Sequence, residues 1–479
     1  MIRYYLPKLW FVASEGKLKS YYVEPISRYV VMSACPCQLL VFDLGVDTTR
    51  RIREDCVTPF LVEAPQPVDL DMEPIQVVAG LQHLPGLMFF DTSGNIPSRS
   101  HAPVSIIAAR PVETIRGDIH TAEDVQRLRA AVGQWDTQAR SLGFPAGGAC
   151  GWVDYEGGFC FGIYPEMLVY QHERKQWWQC GKLVESLRKD VNIMNRASIG
   201  GFEPCMSETQ YQAGVRRIHE YIAAGDIYQV NLTQSYRAEV SGGSLFPLYR
   251  HLREETPAPL AVWMSLEERE VLSSSPETFL RMSGRSVETR PIKGTRPRFE
   301  DEQQDQESAL ELLNSEKENA ELIMITDLER NDLGQVCEFG SVRVADMLSL
   351  EKLEHVYHLV STVTGTLREE LDHLDALAAC FPGGSITGAP KHRAMEIIEE
   401  LETVPRGLYT GAVGYIGFNG ESQFNIPIRT LVRDGDELHY HVGAGIVADS
   451  DPAEEFEETL HKAKGIRLAI ERYQRERPG

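Results

Sequence analysis

Residues 409–447 place the strongest constraint on what this chain can fold into. Two apolar, strand-length runs, 409–418 and 424–432, flank Asn419-Gly420, a dipeptide suited to the left-handed backbone of a tight hairpin turn. A third run, 437–447, follows at once and leads into a final helix. Asp449, Ser450 or Asp451 can cap that helix, and Pro452 fits its first turn. Further strand-like runs lie at 227–240, 259–273, 286–292 and 354–366. Helical patterns lie at 121–140, with Thr121 as N-cap, and at 207–224, where SETQ makes a capping box on Ser207. Others lie at 305–334, 369–380 and 390–403. Long strands joined by tight turns, with helices inserted between groups, indicate an α+β fold rather than a doubly wound parallel sheet.

The chain has 479 residues, enough for a sizeable core. Its formal net charge of -22 excludes nucleic acid or an anionic membrane as partner, since either needs a basic face. A small anionic substrate stays open, because a local pocket can oppose the global field. The 9 cysteines are dispersed, with Cys35 and Cys37 the single close pair, and read as reduced thiols of a cytoplasmic protein. The N-terminus, MIRYYLPKLW, lacks the basic-then-apolar layout of a signal peptide. The longest apolar run, Val30 to Phe42, is broken by Pro36 and Gln38 and is too short to span a bilayer. Residues 1 to about 70 read as strands and loops, and VEAPQPVDLDMEP (62–74), which contains Met72, reads as a linker.

Two pairs of carboxylates recur at helical spacing. Glu318 and Glu321 lie three apart, as do Glu455 and Glu458, and Lys462 follows Glu458 by four. Two facing helices with such pairs would make an oxygen-rich site suited to magnesium. The same spacing is also met by a solvated helix face with a Glu–Lys pair. The stretch TRPIKGTRPR puts Lys293 in a tight, glycine-flanked turn. A lysine there is either a basic surface residue beside Arg290 and Arg296 or, once deprotonated, a nucleophile.

These stretches, taken together, resemble the chorismate-utilising enzymes of the anthranilate synthase component I type. The resemblance runs from about residue 85 to 475 and is dense after 207. It rests on GDIYQVNLTQ (225–234), PIKGT (291–295), EKENAELIMITDLERNDLGQV (316–336), FPGGSITGAPKHRAMEIIEELE (381–402), GLYTGAVGY, NIPIRT and GAGIVADSDPAEEFEETLHKA (443–463). It implies largely antiparallel sheets packed in a sandwich with helices outside. It divides the chain into an extension, 1–71, a subdomain, 72–200, and a chorismate-binding domain, 201–475. The extension has no counterpart in the family and is expected to be dispensable.

The resemblance also implies roles. Glu321 and Glu458 fall on direct magnesium ligands, and Glu318 and Glu455 on positions that hold metal-bound water. Gly294, Thr295, Ser385, Tyr409, Arg429, Gly443, Ala444, Gly445 and Lys462 fall on substrate contacts. Ser385 and Thr387 precede a helix whose N-terminus can receive anionic groups. His358 and Glu277 fall on active-site positions, Glu277 as a handler of protons. Ser93 and Pro259 fall on a tryptophan site, although FFDTSG (89–94) replaces the residues that precede the serine in tryptophan-sensitive relatives.

Within the family, lysine in PIKGT marks the branch that aminates chorismate at C4, and alanine marks the branch that makes anthranilate. Gln229 stands where the isochorismate and salicylate branch has a lysine that activates water, and glutamine cannot serve as that base. The implied activity is conversion of chorismate and ammonia to 4-amino-4-deoxychorismate, on the way to 4-aminobenzoate and folate, with Lys293 as covalent nucleophile. The chain lacks the Gly-x-Cys-x-Gly elbow of a glutaminase, so a separate glutamine amidotransferase subunit is the expected source of ammonia. The alternatives are anthranilate synthesis and an inactive subunit that docks a glutaminase.

Overall fold

The computed structural model describes residues 59–94, 103–140, 142–188 and 195–476, together with four short strands before residue 59. The chain divides into two compact units, Met1–Thr58 and Pro59–Gly479. In the first, Trp10–Ser14 pairs antiparallel with Lys17–Tyr21, and Tyr29–Met32 with Leu39–Phe42. Cys35, Cys37 and the first nine residues lie outside the described residues. The described cysteines of the second unit are all free.

The second unit is built on two open, antiparallel sheets, one of 10 strands and one of 13 among the described residues. Met88, Ile106, Val262 and Val271 of the larger sheet pack on Cys150, Trp152, Val413 and Tyr415 of the smaller. Each fully buried aliphatic side chain in such an interior contributes roughly 1.5–3 kcal/mol. The helix Pro452–Arg475 covers the outer face of the larger sheet, burying Ala463, Ile466 and Tyr473 against Leu248, Leu252 and Tyr440. Glu316–Val336 and His373–Cys380 cover the smaller sheet through Leu333, Val336, Leu374 and Leu377. Both sheets draw strands from before and after residue 200, so 72–200 and 201–475 are interleaved within one compact unit.

Local signals place many of the elements. Ser207 Oγ accepts from Gln210 N in a capping box, and Asp451 accepts from Ala453 N and Glu454 N ahead of Pro452. Ala412–Gly417 and Glu421–Asn425 form the expected hairpin around Asn419-Gly420. Four expectations are corrected. The run 259–273 is itself a hairpin, Leu260–Leu266 with Arg269–Ser275. The helical stretch 305–334 is two helices, Glu302–Leu313 and Glu316–Val336, the second capped by Ser315. The segment 62–74 is no linker: Gln66–Val68 is an edge strand on Gln176–Cys180, and the Trp177 indole donates to the Met72 carbonyl at 3.0 Å.

The fourth correction matters most for the site. The run 424–432 divides between the sheets: Glu421–Asn425 ends in the smaller one, and Thr430–Asp434 starts in the larger. Pro427, with no N–H to give a ladder, lies in the crossover. Arg429 ends the crossover with φ +52°, a left-handed conformation uncommon outside glycine.

Candidate active site

That crossover opens beside a cleft of about 890 Å³. Lys293, Gly294, Thr295, Glu277, His358, Ser385, Tyr409, Arg429, Gly443, Gly445 and Lys462 line it, with Glu318, Glu321 and Glu458. These positions span some 185 residues of sequence, from Glu277 to Lys462, and arrive from both sheets and two helices. Ala444 and Glu455 do not line the cleft. Strand alternation turns Ala444 into the core, and Glu455 sits behind Glu458 at 4% exposure.

Lys293 lies on a strand, not in a free turn. Ile292–Pro297 is the edge strand of the smaller sheet and pairs with Val356–Thr366. The register slips between Lys293 and Thr295, where Gly294 takes φ +69°. A β-carbon at Gly294 would meet Leu312 at 2.6 Å. The bulge at Gly294 thus sits between Lys293 and Thr295, both of which line the cleft. Lys293 Nζ stands 3.7 Å from Glu321 Oε2. Thr295 Oγ1 lies 3.1 Å from His358 Nδ1. Burial, with Arg429 adding repulsion, pushes the His358 imidazole down to about 3, so the ring is neutral at ordinary pH. Among the described residues its Nε2 has no hydrogen-bond partner.

Arg429 is the cleft's most telling cation. Among the described residues no carboxylate lies within ion-pair distance of it, and burial lowers its pKa. A desolvated guanidinium without a counter-ion is suited to a ligand carboxylate. Glu277 is buried beside Ser385, whose hydroxyl is near enough to favour the ionised carboxylate, although among the described residues neither Glu277 Oε1 nor Ser385 Oγ completes a hydrogen bond. Burial pushes the Glu277 carboxyl up, so it can hold a proton more readily than a free glutamate.

Ser385 reaches the cleft from a turn, Gly384–Ile386, whereas the following helix starts only at Lys391 and its N-terminus does not line the cleft. Thr387 donates to Gly383 O within that turn and is buried. The expected anion site at a helix N-terminus is therefore absent from the cleft lining. Gly445 faces Gln229 and Lys293: a β-carbon there would come 2.4 Å from Gln229 Nε2 and 3.4 Å from Lys293 Nζ. Its lack of a side chain lets strand, amide and amine approach closely.

The four carboxylates come from two helices, Glu318 and Glu321 from Glu316–Val336, Glu455 and Glu458 from Pro452–Arg475. Among the described residues no three His, Cys, Asp or Glu side chains stand close enough to form a metal cluster. Each carboxylate instead faces a cation. Lys462 Nζ is 2.7 Å from Glu458, Lys317 3.8 Å from Glu455, and Arg296 3.8 Å from Glu318. Burial, with the neighbouring Glu321, pushes Glu318 up, and burial, with Glu458, pushes Glu455 up. Burial also opposes ionisation of Glu458, but Lys462 and Lys317 outweigh it and draw that carboxyl down. The four donors are of the all-oxygen kind that suits a hard cation but are not gathered around one point, and Glu455 Oε2 is buried with no partner among the described residues.

Residues 158–467 match the family model described as chorismate binding enzyme. The chain belongs to this family. It is 38% identical over 331 residues to aminodeoxychorismate synthase component 1 of Bacillus subtilis, which covers 65% of this chain and 70% of that protein. It is 47% identical over 273 residues to anthranilate synthase component 1 of Streptomyces coelicolor, covering 57% of this chain and about half, 53%, of that relative. Anthranilate synthase component I of Streptococcus pneumoniae superposes with a TM-score of 0.67 at 29% identity, over 78% of this chain and 94% of that one. The menaquinone-specific isochorismate synthase of Escherichia coli shares the fold, with a TM-score of 0.67 at 17% identity over 85% and 94%. Among the described residues no helix is long and apolar enough to cross a membrane.

Two further residues escape a reading by motif. His441 lines the cleft, stacks on Tyr409 at 5.4 Å between ring centroids, and has neither ring nitrogen partnered among the described residues. The two-residue period backward from Gly445 and Gly443 would have found it. Glu329 lies behind the Ser385 turn; Ile325 and Leu333, four residues to either side, are the sequence signal of its buried helix face. The two residues assigned to tryptophan are brought together. Ser93 exchanges hydrogen bonds with Ala258, next to Pro259, so its hydroxyl is engaged with backbone. Pro259 lines a smaller cavity of about 140 Å³ between the sheets.

Proposed function

We propose that the cleft converts chorismate and ammonia to 4-amino-4-deoxychorismate, with Lys293 as covalent nucleophile. The observation that carries this reading is Lys293 itself, 15% exposed and lining the cleft with Arg429, Tyr409 and the glycine strand. The unpaired Arg429 would take a substrate carboxylate. Deprotonated Lys293 would attack C2, both ring double bonds would shift, and the 4-hydroxyl would leave with a proton as water. Glu277 is the group suited to hold that proton, since burial favours its acid form. Ammonia would then add at C4, both double bonds would shift back, and the lysine would be released as its bond to C2 breaks. A magnesium ion held by Glu321 and Glu458, with Glu318 and Glu455 on its water, would supply positive charge for the substrate's ring carboxylate. Neutral His358, donating or accepting through Nε2, would orient a substrate oxygen.

The relatives named component 1 support a second subunit for this chain, and a glutamine amidotransferase is the partner we infer. The second reading is anthranilate synthesis, favoured by 45–48% identity to several anthranilate synthases over 265–273 residues, against 38–39% to aminodeoxychorismate synthases over 325–331; a further anthranilate synthase, of Methanothermobacter thermautotrophicus, stands at 37% over 356. Incubation with chorismate, magnesium and ammonium separates the two by product. 4-Amino-4-deoxychorismate supports the proposal; anthranilate overturns it. Glutamine in place of ammonium should give no product from the single chain.

A further inference from the structure

Behind the Ser385 turn, away from the cleft, lies a buried ionic group that the proposed reaction does not use. Glu329 is 2% exposed and projects from Glu316–Val336, the helix that carries Glu318 and Glu321. Its Oε1 accepts the Gly384 N–H at 2.9 Å, and its Oε2 faces the Thr289 hydroxyl at 3.4 Å. One turn further, Asp332 receives Lys391 Nζ at 2.5 Å. The same ammonium donates to the carbonyls of Cys380 and Pro382 at 3.0 and 2.7 Å. The segment 380–384 is thus held from below at three backbone groups by two charged side chains.

Gly384 immediately precedes Ser385, whose hydroxyl is buried at the cleft wall beside Glu277 and completes no hydrogen bond among the described residues. The peptide unit between Gly383 and Gly384 sets where the following residue points. Glu321, Ile325 and Glu329 are spaced by four and share one helix face, so a single rigid element joins the carboxylates of the cleft to the clamp beneath the turn. A carboxyl oxygen can accept this amide whether or not the group is ionised, and a buried carboxyl left without such a bond is costly. An apolar residue would fill this place at lower desolvation cost, but it could not hold an amide.

We propose that Glu329 is a positioning residue: through the Gly384 amide it fixes the Gly384–Ile386 turn and so aims the Ser385 hydroxyl at the substrate. Burial, with Asp332 adding repulsion, pushes the Glu329 carboxyl up, which marks the strain of keeping a charge there. The inference rests on the reading that the cleft takes chorismate, and its test is chosen so that the two fail separately.

The test compares Glu329→Ala, Glu329→Asp and Glu329→Gln by chorismate consumption, whatever the product, and by amide exchange of the peptide 381–389. Alanine removes the acceptor, and aspartate withdraws it by one methylene while keeping the charge. Each should raise the KM for chorismate about tenfold with kcat within a few-fold, and should speed exchange of the peptide. Glutamine keeps an acceptor oxygen and should stay within about twofold of wild type. Adding Ser385→Ala to Glu329→Ala should cost little beyond either change alone, since both act through one hydroxyl. An unchanged KM with a lowered thermal midpoint would assign Glu329 to the core alone and overturn the proposal, as would full additivity with Ser385→Ala. Should the alanine variant not fold, the aspartate variant decides by the same measurements. A wild-type chain that consumes no chorismate sinks the functional reading instead. The turn is then judged by exchange alone, where unchanged protection in the aspartate variant overturns it.

Discussion

Lys293 Nζ and Glu321 Oε2 face each other across 3.7 Å, so the proposed nucleophile and a proposed metal ligand neutralise one another. An unperturbed lysine titrates near 10.4 and is a poor nucleophile when protonated. A cation that claimed Glu321 would take away the carboxylate that Lys293 faces.

Replacing Lys293 by alanine should therefore abolish 4-amino-4-deoxychorismate formation, or slow it by orders of magnitude, leaving traces of anthranilate from direct attack of ammonia at C2. With ammonia withheld, mass spectrometry of the wild-type chain should find an adduct on the Lys293 peptide equal to chorismate less one water. No adduct, together with near-normal turnover in the alanine variant, would move the reading to anthranilate synthesis.

Glu321→Gln and Glu458→Gln should each remove activity at physiological magnesium, since each deletes a charged donor from a site with few. Titration of activity against magnesium checks this. In the glutamine variant at 458, Lys462 also loses its 2.7 Å partner, though it keeps the Gly443 carbonyl at 2.9 Å. An unchanged magnesium profile in both variants would place the metal elsewhere.

His358 predicts a pH effect. Its folded pKa is depressed from 6.5 to about 3, so the neutral ring contributes stability that is fully present above pH 6.5. That contribution declines as pH falls from 6.5 toward 3, because the unfolded chain binds the proton and the folded one does not. Thermal midpoints of wild type and His358→Asn, followed between pH 7 and 4, should converge as pH falls. Parallel curves would show that the ring titrates alike in both states.

Gly445→Ala should damage turnover more than stability. Its backbone is not left-handed, and the added carbon meets the Gln229 amide at 2.4 Å and the Lys293 amine at 3.4 Å. Displacing these groups costs about 1–3 kcal/mol of overpacking and moves the amine from its place. A thermal midpoint within a few degrees of wild type, with a large fall in kcat, is expected.

The start of the compact unit can be tested by truncation. A chain beginning at Pro59 retains Phe60–Val62, Gln66–Val68 and the Met72 carbonyl under Trp177. A chain beginning at Met72 loses both strands and should melt at lower temperature. Equal midpoints would restore 1–71 as wholly dispensable.

The sequence by itself determined whatever depends on neighbours a few residues away. Ser207 and Asp451 cap their helices as expected, Asn419-Gly420 turns the hairpin, and the Glu-x-x-Glu pairs share helix faces. These are short-range rules of backbone conformation and helical period. The motifs around Lys293, Ser385, Arg429 and Gly443 likewise named Lys293, Gly294, Thr295, Ser385, Arg429, Gly443 and Gly445, all of which line the cleft. Tertiary structure decided the rest. An alternating strand pattern reads the same in either sheet, so only packing could divide 424–432 between two sheets and leave Arg429 at the crossover. Only pairing with Val356–Thr366 could make PIKGT an edge strand with a bulge at Gly294. Burial, too, is a long-range property. Glu329 reads as one more acid on a helix, and it becomes a clamp only because the Ser385 turn, more than fifty residues later, folds back onto it.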